Sequence, residues 1–277
     1  MCVGTKYINK KRANRLPRFD AELSALIRQA FPALSISALR PLNKGLSNKN
    51  YYLEQAQQGY LLKHYSGTMP VQALEAQGQL ALLGVAQPLA GYHVQTRLAL
   101  FEFLPQQDEP LCLSDSLLVN LHTLHGFVRP QSGQLDLSAA LCEAALVLEG
   151  KFDVSALGRR RAQFEPDICF CHNDLVKDNM LVTAQGPVFI DFEYAQYNDR
   201  YFDLAALCVS FSLSVREGNQ MLKRYFSLAE IPLPEYAEDK LHCYVEIYLL
   251  LCLAWYQRRG LVSYVDPLLL LLKAWCR

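Results

Sequence analysis

Between Phe170 and Leu181 the chain reads "FCHNDLVKDNML", and a second apolar run, "VFIDFEY", follows from Val188 to Tyr194. Polar groups bracketed by hydrophobic runs cost free energy unless they are paired or carry a function. Two short β-like runs that hold a polar loop, set in a half of the chain that is otherwise helical, narrow the possible folds. They call for a small hairpin embedded among helices, with His172, Asp174, Asn179 and Asp191 fixed at its ends.

Upstream of that block the pattern has a period of two. "PALSISALRPL" and "KNYYLEQAQQGYLLKHY" read as strands with a turn at Gln58-Gly59, and "AGYHVQTRLALFEFL" as a further strand pair that stops at Pro105. A helix is expected between them from about Met69 to Leu83, with Leu74, Leu80, Leu82 and Leu83 on one side. Beyond Pro105, helical spacing dominates over 117–125, 139–148, 202–215, 220–228, 238–258 and 267–275. The fold class is therefore α+β with two lobes. A strand-rich N-terminal lobe over 1–104 precedes a helical C-terminal lobe over 105–277, and a cleft between such lobes is a common ligand site.

Charge and cysteine usage bound the function. The 27 Lys and Arg equal the 27 Asp and Glu, so no global field favours nucleic acid or an anionic membrane, and any cation that meets an anion must be local. The basic run from Lys6 to Arg15 reads as a solvated terminus. No apolar segment follows it, so no signal peptide is expected, and "IYLLLCLAWY" is too short to insert across a bilayer. Nine scattered cysteines without a CxxC pair fit reduced thiols in the cytoplasm. Strand alternation puts Cys169 and Cys171 on one face with no second ligand pair, which reads as two small buried hydrophobes.

The polar loop has the composition that phosphoryl transfer needs. That chemistry requires a carboxylate to orient a hydroxyl and accept its proton, and oxygen ligands to hold Mg²⁺ against phosphates. Asp174, Asn179 and Asp191 offer such groups, since an Asn carbonyl and an Asp carboxylate are hard donors. Lys63 sits inside the apolar strand "YLLKHY", where an ammonium needs a partner; Glu75 on the next helix is the candidate.

The spacing H-x-D-x-x-x-x-N, followed by an apolar strand ending in Asp-Phe, resembles the kinase-like choline kinases and aminoglycoside phosphotransferases. "CHNDL" with Asn179, and "IDFEYAQYNDRYFDLAAL" from Ile190 to Leu207, are most similar to choline and ethanolamine kinases. The resemblance implies that Asp174 is the catalytic base and that Asn179 and Asp191 hold magnesium. It implies that Lys63, braced by Glu75, meets the phosphates of ATP, with Ser47 and Asn48 lying over them in the loop from Gly45 to Asn50. Backbone groups of Glu102, Phe103 and Leu104 would take the adenine. His172 and Asp203 would support the catalytic loop, Asp203 from a helix start. The chain departs from protein kinases: "DFE" stands where "DFG" would, and neither GxGxxG nor APE is present.

The implied acceptor is a small amino-alcohol, choline or ethanolamine. A quaternary nitrogen cannot donate a hydrogen bond, so its recognition relies on aromatic faces and carboxylates. Glu193, Tyr194, Tyr197 and Trp255 are the candidates, with Tyr248 and Tyr256 nearby on the late helix. Choline kinases carry two tryptophans one helical turn apart here, whereas "LLLCLAWYQRR" has one, which keeps thiamine as an alternative acceptor. An amino-sugar acceptor would need an acidic pocket, for which Glu235, Glu238, Asp239 and Glu246 are available.

Overall fold

A computed structural model describes residues 21–42, 47–129 and 131–276; the basic N-terminal run and Gly45 lie outside them. The chain divides into two compact units, Met1–Met69 with Ala90–Phe103, and Pro70–Leu89 with Leu104–Arg277.

The first unit is built on an antiparallel sheet of β1 (Ala38–Leu42), β2 (Lys49–Gln55), β3 (Gln58–His64), β4 (Leu89–His93) and β5 (Leu98–Glu102), in the order β1-β2-β3-β5-β4. Helix α1 (Ala21–Ala30) places Leu23 and Ile27 in a core with Leu39, Leu53, Leu62, Leu98 and Leu100. The turn expected at Gln58-Gly59 lies two residues earlier. Ala56 and Gln57 both have positive φ, 48° and 70°, and Gln58 and Gly59 already pair with Gln55 and Glu54. A two-residue loop of this mirror-image kind matches the twist of the strands it joins. Gly59 serves packing instead: a Cβ there would stand 3.0 Å from the Tyr52 hydroxyl and 3.2 Å from Cβ of Phe103.

The second unit starts with α2 (Val71–Leu82), continues through α3 (Asp115–His125), α4 (Leu137–Val147) and α5 (Val154–Arg161), and then forms four short strands. These are β6 (Ile168–Cys171), β7 (Met180–Thr183), β8 (Gly186–Phe189) and β9 (Gln196–Asp199), followed by α6 (Arg200–Ser210), α7 (Val215–Leu228), α8 (Ala237–Arg258) and α9 (Val265–Trp275). β7 and β8 are the expected hairpin, and β6 pairs antiparallel with β9. In α2 the buried face is Ala73, Leu74, Ala76, Gln77 and Leu80, whereas Leu82 and Leu83 are exposed. Two residues on from Leu80 is some 200° around a helix, so Leu82 cannot share its face. The helix expected over 202–215 ends at Ser210. Ser212 then takes a left-handed conformation, and Ser214 and Glu217 form a reciprocal cap that starts α7.

The core of this unit gathers on α6 and α8. Leu204 to Cys208 are buried without a break on α6, and Leu241, Val245, Leu249 and Leu253 recur every four residues along α8. Burial on the α6 side is therefore nearly all round, which a helix covered on several faces requires. No helix among the described residues is long and apolar enough to cross a membrane.

Candidate active site

The end of β6 delivers His172, Asn173 and Asp174 into a loop, and a single 3-10 turn at Lys177–Asn179 leads back into β7. Asp203, in the first turn of α6 and fully buried, holds this loop by its backbone. Its carboxylate accepts from the N–H of His172 at 2.7 Å and of Asn173 at 2.8 Å. The helix start is capped by a different residue, Asp199, whose carboxylate accepts from Tyr201 N and meets the Lys240 ammonium at 2.7 Å. Asp203 is thus a loop anchor and not a cap, because four residues into the chain from Asp199 it faces β6 instead of the helix's own N–H groups.

His125, from α3, completes the anchor. Its Nε2 lies 3.3 Å from Asp203 Oδ2 and its Nδ1 2.7 Å from the Tyr225 hydroxyl. Burial pushes the imidazole pKa down, but Cys169 and Asp203 outweigh it, and the value lies above that of an ordinary histidine. Cys169 and Cys171 lie on one face with sulfurs 3.6 Å apart, and with His125 they bring three metal-type donors within 4.8 Å of one another. Both ring nitrogens are already engaged by Tyr225 and Asp203, which accounts for the cluster as a hydrogen-bonded core.

Asn173 has φ +64°, a left-handed conformation that Asn tolerates better than most residues. The side chain explains how the conformation is held: Nδ2 donates to the carbonyls of Tyr194 and Gln196, and Oδ1 accepts from Asn198 Nδ2 at 2.8 Å. Asp174 follows and is met by Asn179. The Asn179 Nδ2 donates to the Asp174 carbonyl at 2.9 Å and to its carboxylate Oδ2 at 2.8 Å. Those two bonds fix which way the amide points and leave its oxygen as an acceptor.

The hairpin brings Asp191 alongside. Ile190 N–H donates to Asn179 O at 3.0 Å, and Asp191 then turns left-handed at φ +64°. His172 ties the two loops together: its Nε2 lies 2.9 Å from Ile190 O, and its ring packs 4.6 Å from that of Phe192. The outer edge of β8 is held by Val85 and Gln87, through Phe189 N to Val85 O and Gln87 N to Phe189 O. Asp174, Asn179 and Asp191 are therefore gathered by a scaffold of buried groups.

The late aromatic candidates divide into two sets. Tyr194 is 45% exposed, and its hydroxyl is pushed up in pKa by burial and then by Glu193, Asp174 and Asp191. On α8, Tyr248, Cys252 and Tyr256 recur every four residues, and each is raised by burial and, further down, by the Asp174 charge; Cys252 and Tyr256 are both pushed up to about 12. The charge of Asp174 therefore reaches one stripe of α8. Trp255 meets Tyr256 edge-on at 5.0 Å, and the Arg259 guanidinium lies 3.8 Å over its ring. Tyr197 is used internally: its ring packs on Phe170 and its hydroxyl accepts from Arg129 N at 3.0 Å. Of the acidic set, Glu246 bonds Arg160 and Glu238 bonds Lys223, each at 2.7 Å, so these two neutralise cations instead of lining one acidic pocket.

In the first unit, Lys63 is buried in β3 opposite Asn50 and Ala99, with its ammonium 5.1 Å from the Tyr65 ring centre. Ser47 O accepts from the Ser66 hydroxyl and Asn48 Oδ1 from Ser66 N, which ties that segment to the chain just beyond Lys63. Glu102 ends β5, and the Phe103 N–H donates to Gly59 O at 3.0 Å. In the second unit, Glu75 forms an ion pair with the Arg129 guanidinium. Sequence reasoning did not single out His125, Asn173, Asn198 or Arg259. Asn173 and Asn198 stand inside the quoted motifs and were open to selection as polar residues there; His125 and Arg259 carry no such signal.

The sequence model of the phosphotransferase enzyme family matches residues 38–242, nearly three-quarters of the chain. The protein LicA of Haemophilus influenzae is 42% identical over 55 residues, which is 20% of this chain and 21% of that protein, so the match spans only about a fifth of the relative's length. Among solved structures, the choline kinase LicA from Streptococcus pneumoniae superposes with a TM-score of 0.72 at 19% identity, covering 92% of this chain and 98% of that one. The amicoumacin kinase hAmiN, solved in complex with AMP-PNP, Ca²⁺ and Ami, gives 0.70 at 11% identity over 93% and 92% of the two chains. At these identities the structural likeness is one of fold: the two-lobed, protein-kinase-like α+β fold expected from the sequence. With the match across residues 38–242, the chain belongs to the phosphotransferase enzyme family.

Proposed function

We propose that this protein is an ATP- and magnesium-dependent kinase that phosphorylates the hydroxyl of choline or ethanolamine. The observation that carries the reading is the Asp174–Asn179 pair, held beside Asp191 by the buried Asp203 anchor. The Asp174 carboxylate would orient the acceptor hydroxyl and take its proton as the new P–O bond forms and the bond to the leaving ADP breaks. The donor set fits magnesium: Asn179 turns its amide nitrogen to Asp174 and keeps its oxygen, and Asp191 supplies a carboxylate. When bound, that ion neutralises charge on the phosphates.

In this reading residues 1–104 form the nucleotide lobe and 105–277 the catalytic and acceptor lobe. Lys63, with Glu75 as its brace, would meet the phosphates beneath Ser47 and Asn48. The adenine would meet backbone at Glu102 to Leu104, and because the Phe103 N–H is engaged by Gly59, the neighbouring groups would carry the hydrogen bonds. Glu193, Tyr194 and the α8 stripe would receive the acceptor. A cytoplasmic location fits the thiols, since the eight cysteines among the described residues are all unbridged. The single Trp255 makes thiamine the second acceptor to try, and a silent nucleotide-binding module is disfavoured because no member of the polar constellation is missing.

The test is ADP release from Mg-ATP in the presence of choline, ethanolamine, thiamine or kanamycin. Release that depends on choline or ethanolamine is expected. Release with thiamine or kanamycin alone would move the acceptor while keeping the chemistry, and silence with all four would refute the amino-alcohol reading.

A further inference from the structure

The face of Trp255 nearest the C-terminus of α8 is already covered by a cation. Arg259 follows Trp255 by one helical turn, its guanidinium carbon lies 3.8 Å over the indole ring, and the residue is exposed. Arg259 also reaches the field of Tyr194, where its charge opposes those of Glu193, Asp174 and Asp191. The resident cation therefore covers an aromatic face and shares with those carboxylates an influence on Tyr194, and an aromatic face with carboxylates nearby is what a quaternary ammonium would seek. The neighbouring rings are arranged around the same end of α8. Tyr256 meets Trp255 edge-on and stacks flat on Tyr264, with centres 4.6 Å apart and planes 3° from parallel.

We propose that Arg259 is a specificity-determining residue that competes with the acceptor's cationic group for the Trp255 face. The inference rests on the amino-alcohol reading for its substrate class. A quaternary ammonium, with no N–H to give to a carboxylate, depends on the aromatic face and must displace the guanidinium. A primary ammonium can hydrogen-bond to a carboxylate such as Glu193 and depends on that face less. Arg259 thus biases the site away from fully methylated amines and toward those that keep an N–H. The guanidinium is exposed and tethered to a flexible stem, so the bias is modest in size and adjustable by one substitution.

The test is Arg259→Gln, which keeps a polar side chain, shorter than that of arginine, and removes the charge. Its KM for choline should fall about fivefold relative to its KM for ethanolamine, the upper end of what one exposed cation–π contact supplies. A second measurement does not depend on turnover. Tetramethylammonium should quench Trp255 fluorescence at about fivefold lower concentration in Arg259→Gln than in the unaltered protein, with Trp255→Phe as the blank. Trp275 is a constant background, being buried and bonded through Nε1 to Leu213 O. A choline KM that is unchanged or raised relative to ethanolamine, or a quench that does not move, overturns the inference. If no amino-alcohol is turned over by either protein yet the quench shifts as expected, the acceptor reading falls and the specificity role with it, and only the competition of Arg259 for the Trp255 face stands.

Discussion

At the residue scale the site depends on one buried carboxylate that serves two backbone N–H groups and an imidazole at once. Asp203 fixes His172 and Asn173, and His125 shares its charge. The His125 pKa is raised in the folded protein; burial opposes the rise, and Cys169 and Asp203 drive it. A histidine whose folded pKa lies above its unfolded value contributes stability that is fully present below about pH 6.5 and is lost as pH rises through the folded value. The urea midpoint of the unaltered protein should therefore show a loss above pH 6.5 that His125→Gln lacks. His64, lowered mainly by burial, acts with the opposite sign in both proteins and cancels from the comparison; His122 is lowered first by burial and then by His125 itself, so only its burial part cancels. Parallel pH profiles for the two proteins would refute the assignment. Asp174, Asn179 and Asp191 could be read in the sequence because five- and twelve-residue gaps on short loops keep them local. His125 could not, since its partner lies 78 residues away and only the packing of α3 on β6 unites them.

At the scale of elements, the reading succeeded where periodicity was unambiguous and failed where a glycine or a leucine had two possible jobs. The β7–β8 hairpin and the long helix α8 stand where the pattern put them. Gly59 drew the expected turn two residues late because its missing side chain makes room for Tyr52 and Phe103, whereas Ala56 and Gln57 carry the positive φ values. Strand β9 was not foreseen, since "QYND" has no alternation, and it exists by pairing with β6. The same conflict between local rule and packing gives a prediction in α7. Gly218→Ala would gain roughly 1 kcal/mol from helix propensity alone. A Cβ at Gly218, however, would stand 2.5 Å and 2.9 Å from two carbons of the Trp275 ring and 3.2 Å from the Cys208 sulfur. Overpacking of this kind costs about 1–3 kcal/mol, so the substitution should lower the unfolding free energy in urea. A gain in stability would show that the indole yields freely.

At the scale of the whole molecule, the family match from residue 38 to 242 includes residues of both compact units. The fold class was legible because a strand-rich block followed by a helix-rich block admits few architectures. The acceptor was less so: its candidates were chosen as aromatic residues, and the structure divides them by use. Tyr197 is occupied by Arg129 and Phe170, and Trp255 is covered by Arg259. Helix-spaced aromatics look alike in sequence whether they face a core, a ligand or a neighbouring cation. The equal numbers of acidic and basic residues mean that charge recognition falls to such local pairs. The most direct test of the central claim is Asp174→Asn, assayed for acceptor-dependent ADP release beside a binding titration with Mg-ATP. The account predicts that turnover falls at least about a thousandfold, the scale of losing a positioned base and the orientation it gives, while nucleotide affinity changes little. Turnover equal to that of the unaltered protein would contradict it.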